Sequence, residues 1–593
     1  MSQFKLIGYS NSGAHVLNLT HSEKGAMQMP FGVSNERPVS AEAGMLRYNT
    51  TENWFEYYNG TNWLAVSQQP PSISSITPQY VQNTISDNSI NIIGTNFSIN
   101  PFVQFISDVN GQVISAQSQT YNSESSITAV ISNTMRDLSS LYPFSVKVTN
   151  NSNLTNILGN ALFWNEVPTF TTAQSPTVYA EIAEGTGNLT GQLDLSAVDI
   201  GGHTPLHFSS TDLSGNTSNA LTLDSSGFIV GNASGLSASN YNFTATVTDQ
   251  NQGFTSGNFT FAVLAQTAFT TTLDASTSYL EAGSTIDQAG TISIGGPVLG
   301  GWTIVTFKTT GSGTITFTNI SSPIEAKYLV VAGGGGGASL FGGGGAGGFR
   351  EGKQNISSSS YNVTVGAGGA GAYEPINDPN ANGFDGSPSL FDSIQSAGGG
   401  GGGNARVGAN GGSGGGGGDW SGVAYAGGIG NTPSVSPSQG ANGGGVAASG
   451  VDAGAGGGGG GGPSGLVGGQ GSASGGGNGG NGTTTTIIPT SLATTLSVGQ
   501  VSGSNLYFAG GGGGGCWFGG GAVGTAKAGL GGLGGGAAGP QATRSSLPAG
   551  DPSGNDASGN TGGGGSGSTR STFPAQGGNG GSGVVILRFP SYI

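Results

Sequence analysis

The chain has a single cysteine, Cys516, so no intrachain disulfide can staple any of its domains. Charge is scarce as well: 8% of the residues are Asp, Glu, Lys or Arg, against about 25% in an average soluble domain. Thirty acids face fifteen bases, giving a net charge of −15. The clustered Lys and Arg that phosphate binding needs are missing, which excludes nucleic acid and electrostatic docking on anionic lipid. No stretch approaches the roughly 18 apolar residues of a membrane-spanning helix, so no membrane insertion is expected. The opening "MSQFKLIGYSNSG" lacks the charged and apolar regions of a signal peptide, and the many Asn-x-Ser/Thr triplets are then expected to stay unglycosylated. Apolar residues at i, i+3, i+4, i+7 are also wanting, which leaves little helix.

What the chain does have is glycine, 119 residues of it, concentrated after residue 330. Elsewhere short runs of Val, Ile, Thr and aromatics alternate with Asn, Gly, Ser and Pro, the pattern of an all-β protein. At 593 residues, roughly three to five domains fit.

Residues 36–66, "ERPVSAEAGMLRYNTTENWFEYYNGTNWLAV", parse as strands at Met45–Tyr48, Trp54–Tyr58 and Trp63–Val66, with an Asn-Gly turn at Asn59–Gly60. So small a unit cannot bury Trp54, Phe55, Tyr57, Tyr58 and Trp63, which therefore become candidates for attachment or oligomerisation. The stretch Gly44–Trp63 resembles a segment near the start of fibre and baseplate proteins of tailed bacteriophages, G-x-x-R-Y-N-T…F-E-x-Y-N-G-T-x-W. That resemblance implies a virion protein, made in the host cytoplasm and exposed on the particle, with residues 1–68 contacting other virion proteins.

Residues 69–165 open with "PPSISSITPQYV" and continue "NSINIIGTNFSINPFVQFIS", which resembles the IPT/TIG immunoglobulin-like domain. Residues 166–268 resemble a cadherin-like or related immunoglobulin sandwich, carried by "NALTLDSSGFIVGNASGLSASNYNFTATVTDQNQGFTSGNFTFAV". There Tyr241, Phe243, Ala245 and Val247 alternate inward, and Thr244, Thr246 and Thr248 outward. Cadherins bind calcium through clustered acids. Asp194, Asp199, Asp212 and Asp249 lack that clustering in the sequence, which leaves calcium binding by this sandwich undecided.

Residues 269–593 form a third region. "GWTIVTFKTTGSGTITFTN" reads as a hairpin turning at Gly311-Ser312-Gly313, with strands over 269–331. From 332 to 583 glycine dominates, with seven uninterrupted runs of four or more at 333–337, 342–345, 398–403, 414–418, 456–462, 510–515 and 562–565. An apolar strand at 583–589, "GVVILRF", closes the region. A flexible Gly/Ser linker would share this composition. Against it, strands run directly into glycine at Tyr328–Val331, "YNVTV", "LFDSIQS" and "LYFA". The other solution is a lattice of polyproline-II helices made of glycine, with three residues per turn and a rise of about 3.1 Å. Such helices have no internal hydrogen bonds, so buried ones must bond to one another, and only glycine lets them approach closely enough. The pattern Y-L-V-V-A-G-G-G-G-G…V-T-V-G-A-G-G…G-V-V-I-L-R resembles the glycine-rich domain of phage and bacterial surface proteins, and in plan the tail-fibre-tip adhesins whose variable loops touch a receptor.

No constellation of catalytic residues stands out, so no enzyme, cofactor or metal is expected. GxGxxG matches have no βαβ context. Gly347–Lys353 spells GxxxxGK, but Gln354 follows where Mg²⁺ needs Ser or Thr. His203 and His207 in "HTPLH" read as a surface loop, and Cys516 as a buried thiol. The resulting expectation is an all-β structural fibre of a tailed bacteriophage: a homotrimer with immunoglobulin-like sandwiches in series and a glycine-rich, receptor-binding tip. Receptor contact falls to the long interruptions between glycine runs, 372–397 with Tyr373, Phe384 and Phe391, and 419–442 with Trp420 and Tyr425. The third interruption, 483–509, reads as structural. Aromatic rings suit a host polysaccharide, and an outer-membrane protein is the other candidate receptor. Alternatives are a decoration fibre of capsid, neck or tail that binds no receptor, or a bacterial surface adhesin.

Overall fold

The computed structural model describes residues 7–8, 15–16 and 29–593, apart from 67–68, 82–87, 132, 282–291, 294–295, 374–381, 421–422, 448–453, 473–474, 517–526, 542–552 and 570–574. Its described residues are almost entirely strand, turn and extended chain, with one four-residue and one seven-residue α-helix. The chain divides into two compact units: Met1–Tyr179 with Leu189–Gly231 and Tyr241–Thr260, and Ala180–Asn188 with Asn232–Asn240 and Phe261–Ile593.

In the first unit, Phe31–Gly32, Leu46–Asn49, Trp54–Tyr58 and Trp63–Ala65 form a four-stranded sheet in that order. The first strand, too short to show alternation, pairs in parallel with the second. Instead of a two-residue turn, Asn59 to Asn62 form a wider loop. Asn59 N–H donates to the Asn62 carbonyl at 3.0 Å, and Asn59 Oδ1 accepts from the Thr61 and Asn62 amides at 2.9 and 2.7 Å.

The next segment is a two-sheet sandwich. One sheet runs Val113–Ser115, Phe102–Ser107, Phe144–Thr149, Thr155–Trp164, Tyr80–Val81; the other Ser118–Ser123, Ser126–Ile131, Asn88–Thr95, Ser72–Thr77. Alternation does the folding. Along Phe102–Ser107, Val103 and Phe105 are fully buried while Phe102 is exposed, and Ile90, Ile92, Ile127 and Val146 meet them from other strands. In the following sandwich Phe243, Ala245 and Val247 point inward as expected.

The second unit is built on two five-stranded sheets. The outer sheet orders Phe269–Thr271, Gly311–Phe317, Ser360–Val365, Ser389–Phe391, Ile394–Ser396. The central sheet orders Ala275–Leu280, Trp302–Phe307, Val584–Pro590, Ile324–Val331, Phe349–Ile356. The expected hairpin at Gly311-Ser312-Gly313 does not form. Trp302–Phe307 and Gly311–Phe317 belong to different sheets, and the chain crosses between them because each strand finds its partners elsewhere.

The middle of the central sheet is buried on both faces, which is why Tyr328–Val331 and Val584–Phe589 read as unbroken apolar runs, whereas the edge strand Phe349–Ile356 alternates. Val330, Val585, Leu587 and Phe589 face the outer sheet and meet Ile315, Phe317, Val363 and Phe391. Leu329, Val331, Val584 and Ile586 face the other way, onto Leu492, Ala493 and Leu496 of the helix Thr490–Leu496 and onto Leu506 and Phe508. Residues 483–509 therefore form a structural layer: this helix plus a small sheet of Thr483–Thr485, Asn505–Phe508 and Gln500–Ser502. The helix is short and went unread because its apolar contacts occupy less than two turns.

The glycine runs are ordered rods. In 456–462 the amides point in three directions in turn. Gly456 and Gly459 donate to Gly417 and Gly414, Gly457 and Gly460 to Gly469 and Leu466, and Gly458 and Gly461 to Gly512 and Ala509. The partners step by three residues, which is the repeat of a polyproline-II helix. The carbonyls of the same rod accept from Gly343 and Ala346, from Gly444 and Ala441, and from Gly480. Each interior rod thus touches six others. A Cβ added at Gly458 would land on the Gly344 carbonyl oxygen, and at Gly459 on that of Ala441, closer than real Cβ atoms come to backbone. Ordering a residue's backbone costs about 1–2 kcal/mol. A net gain of about 0.5–1.5 kcal/mol per hydrogen bond can offset this only if nearly every amide is used.

Candidate functional site

The lattice interior offers a ligand nothing but backbone already bonded to backbone. Recognition chemistry has to sit on its rim. There asparagine side chains replace missing rods: Asn478 and Asn481, three residues apart, accept from the amides of Leu530 and Leu533 at 2.8 Å each, and Asn410 and Asn442 accept from Ile429 and Gly430. Peripheral rods tolerate side chains wherever one side faces water. Ile429, Leu466, Val467 and Leu530 all project from such rods and are exposed. The lateral faces therefore carry more side-chain character than a pure glycine lattice would.

The five receptor candidates separate. Tyr373 and Phe384 are about two-thirds exposed, at 65% and 64%. Phe384 rides on a peripheral rod: its amide donates to the Ala370 carbonyl and its carbonyl accepts from Gly336, which leaves the ring in solvent. Phe391 is a correction. It is fully buried between the two large sheets, 5.9 Å from the Tyr361 ring and 6.3 Å from Tyr328, so it is core and cannot touch a receptor. Its motif "SLF" is a strand, and its ring takes the inward position of the alternation. Tyr425 is half-buried, with its amide donating to Gly418. Trp420 lies in a two-residue strand paired with Val423–Ala424, and its side chain is outside the described residues.

The N-terminal sheet is inverted relative to an ordinary one. Its buried face carries charge. Glu56 is fully buried and takes Arg37 at 2.6 Å and Arg47 at 3.5 Å, and Asn49 Nδ2 donates to it at 3.0 Å. Burial alone would push the Glu56 carboxyl up. The hydrogen bonds from Arg37 and Asn49, and the charges of Arg37 and Arg47, outweigh that and hold it below the ordinary carboxylate value. The opposite face carries Phe31, Leu46, Phe55 and Tyr57 toward solvent, in rows Phe31–Tyr48–Phe55 and Leu46–Tyr57 across the strands. A shallow groove of about 400 Å³ between Met29, Phe31, Tyr48, Thr50 and Phe55 lies on this face. Of the five attachment candidates, Phe55 and Tyr57 are exposed. Trp54, Tyr58 and Trp63 are half-buried, with the Tyr58 and Trp63 rings in tilted contact at 5.5 Å and Arg47 6.0 Å from the Trp63 ring. An exposed apolar face of this kind on a small sheet is a candidate interaction surface.

A third cluster was missed from the sequence. The carboxylates of Asp199 and Asp249 and the imidazole of His203 converge, with ligand atoms all within 4.8 Å of one another. His203 and Asp199 lie on one tight turn, and Asp249 on the hairpin between Ser239–Thr248 and Phe254–Leu264. The spacing of fifty residues hid the pairing. His207, the neighbour that suggested an i, i+4 pair, sits apart in a strand as an exposed residue.

No curated protein sequence matches the chain. Solved structures with some likeness include three consecutive immunoglobulin domains of titin, at 9% identity over 43% of this chain and 95% of that one, with a TM-score of 0.21. Cadherin repeats EC21–23 of human CDH23 (15% identity, 42% and 95%, TM-score 0.18) and EC1–3 of Drosophila N-cadherin (12%, 38% and 87%, TM-score 0.15) are of the same order. Scores this low add nothing to the sandwiches seen directly. The informative match is to a family: residues 309–590, which include seven of the ten strands of the two large sheets and the whole lattice, match the glycine-rich domain.

Proposed function

We propose that the chain is a structural fibre of a tailed-phage virion, held to the particle by its inverted N-terminal sheet and presenting the rim of its glycine lattice to a host surface. The observation that carries this reading is the exposure of Tyr373 and Phe384 on a scaffold whose interior has no side chains to offer. Rings held out on a rigid lattice lose little entropy on binding, and they stack on sugar rings without needing charge. A host polysaccharide suits them better than an acidic or basic ligand. The chain acts by binding and not by catalysis. It is proposed to assemble as a homotrimer, with Phe31, Leu46, Phe55 and Tyr57 covered by other copies or by other virion proteins.

The test compares the full-length chain with the double variant Tyr373→Ala, Phe384→Ala for binding to susceptible host cells, with melting temperature measured alongside. Loss of binding at unchanged melting supports the reading. Absence of binding by the wild-type chain to every susceptible host would favour a decoration fibre without a receptor, a reading for which the apolar N-terminal face alone would suffice.

A further inference from the structure

We propose that Asp199, His203 and Asp249 bind a first-row divalent transition-metal ion, Zn²⁺ foremost, where the two sandwiches of the first unit meet. The donor set is one imidazole and two carboxylates, a combination that suits zinc, whereas calcium takes oxygen ligands alone. Both carboxylates are already oriented. Asp199 Oδ1 and Oδ2 accept from the Gly201 and His203 amides at 2.8 and 2.9 Å. Asp249 Oδ1 accepts from the Asn251 and Gly253 amides at 2.8 Å each, and its Oδ2 from Asn165 Nδ2 at 2.8 Å. Asp249 Oδ1 is saturated by its two amides, whereas Asp249 Oδ2 and both Asp199 oxygens accept one hydrogen bond each and keep a lone pair free for a cation.

The decisive atom is His203 Nδ1. It is buried, takes no hydrogen bond, and stands 3.3 Å from Asp199 Oδ2 in a geometry that makes no good one. A buried ring nitrogen without a partner costs free energy, and a metal ion would satisfy it. The Tyr80 ring, edge-on at 4.8 Å, holds the imidazole in place from the first sandwich. Ligand atoms within 4.8 Å need to close by roughly an ångström to reach metal–ligand bonds of about 2.0–2.1 Å. The His203 side chain is 15% exposed, which leaves room for a water as fourth ligand. Since Asn165 and Tyr80 come from the first sandwich and the ligands from the second, the ion would pin the junction.

The full-length chain, stripped with a chelator, is titrated with Zn²⁺ by calorimetry and with Co²⁺ by visible absorption. The expected result is one tight equivalent, with a low-coordinate Co²⁺ spectrum that Zn²⁺ displaces and millimolar Ca²⁺ does not. His203→Ala and, separately, Asp199→Asn should weaken binding at least tenfold, while His207→Ala and Cys516→Ser leave it unchanged. If His203→Ala fails to fold, Asp199→Asn and the rise in wild-type melting temperature with Zn²⁺ over chelator decide. No Zn²⁺ equivalent in the wild type, equal binding by the ligand variants, or loss of binding in Cys516→Ser would overturn the proposal.

Discussion

Val331 and Val584 lie directly opposite each other in antiparallel strands, and every residue of the glycine lattice is strung between them. The lattice is in effect one very long loop closing a two-strand pair. Its ends are fixed by two strands buried on both faces, so the rods begin and finish at set positions and heights. This is what the strand-to-glycine junctions achieve: side-chain packing supplies the register that polyglycine cannot supply for itself.

Valine at Gly458 should break the lattice from the inside. The glycine donates to Gly512 and accepts from Gly480, and a side chain would have to displace the Gly344 carbonyl. Overpacking a filled site costs about 1–3 kcal/mol, and displaced backbone bonds add to that. Limited proteolysis should show new cleavage within 332–583 while the first unit stays resistant. Gly187→Ala, where an added Cβ meets nothing within 4 Å, should change stability by less than about 0.5 kcal/mol. Equal protease resistance of both variants would refute close packing of the rods.

Acid should loosen the N-terminal sheet. The folded Glu56 carboxyl titrates below its ordinary value of 4.5, so its contribution is present above that value and is lost as pH falls through the lower, folded one. Glu56→Gln should cost about 3–5 kcal/mol at neutral pH, because Arg37 and Arg47 lose their buried partner. Tryptophan fluorescence during melting, followed from pH 7 to pH 3, should show the wild type approaching the variant at the acid end.

Phe391 and Phe384 should behave oppositely although only seven positions separate them. Phe391→Ala opens a cavity between the two large sheets and should cost about 3–5 kcal/mol. Phe384→Ala removes an exposed ring and should leave the melting temperature within a degree or two. Similar losses in the two variants would contradict their assigned places.

Removing Asn478 and Asn481 together should expose the amides of Leu530 and Leu533 without unfolding the lattice. Hydrogen exchange at those two amides should accelerate, with the interior run 510–515 still protected. Water can replace a rim partner, so the stability loss should stay near 1 kcal/mol per site.

Much of this was legible in advance, and what was not has physical reasons. Alternation revealed Phe243, Ala245 and Val247, because one face of their strand is buried. Polyglycine flanked by strands pointed to packed rods, since no other ordered structure needs the complete absence of side chains. Composition could not say that Phe391 is core and Phe384 surface, because that depends on which sheet a three-residue strand joins. Nor could it reveal that the N-terminal sheet buries Glu56, or which of its surplus aromatics, Phe55 and Tyr57, are the exposed ones. Asp199 and Asp249 looked scattered because the fold, and not the spacing, brings them together.

The threefold turn of the rods gives the glycine region something like a reading frame. Gly456 and Gly459 face one neighbour, Gly457 and Gly460 a second, Gly458 and Gly461 a third. One residue gained or lost in a rod swings every later amide by a third of a turn onto the wrong neighbour, whereas three restore each direction and merely lengthen the rod by one repeat. The lattice can therefore grow or shrink by triplets with its bonding intact, and drift between lineages should leave rod lengths differing in steps of three while the connecting loops vary freely.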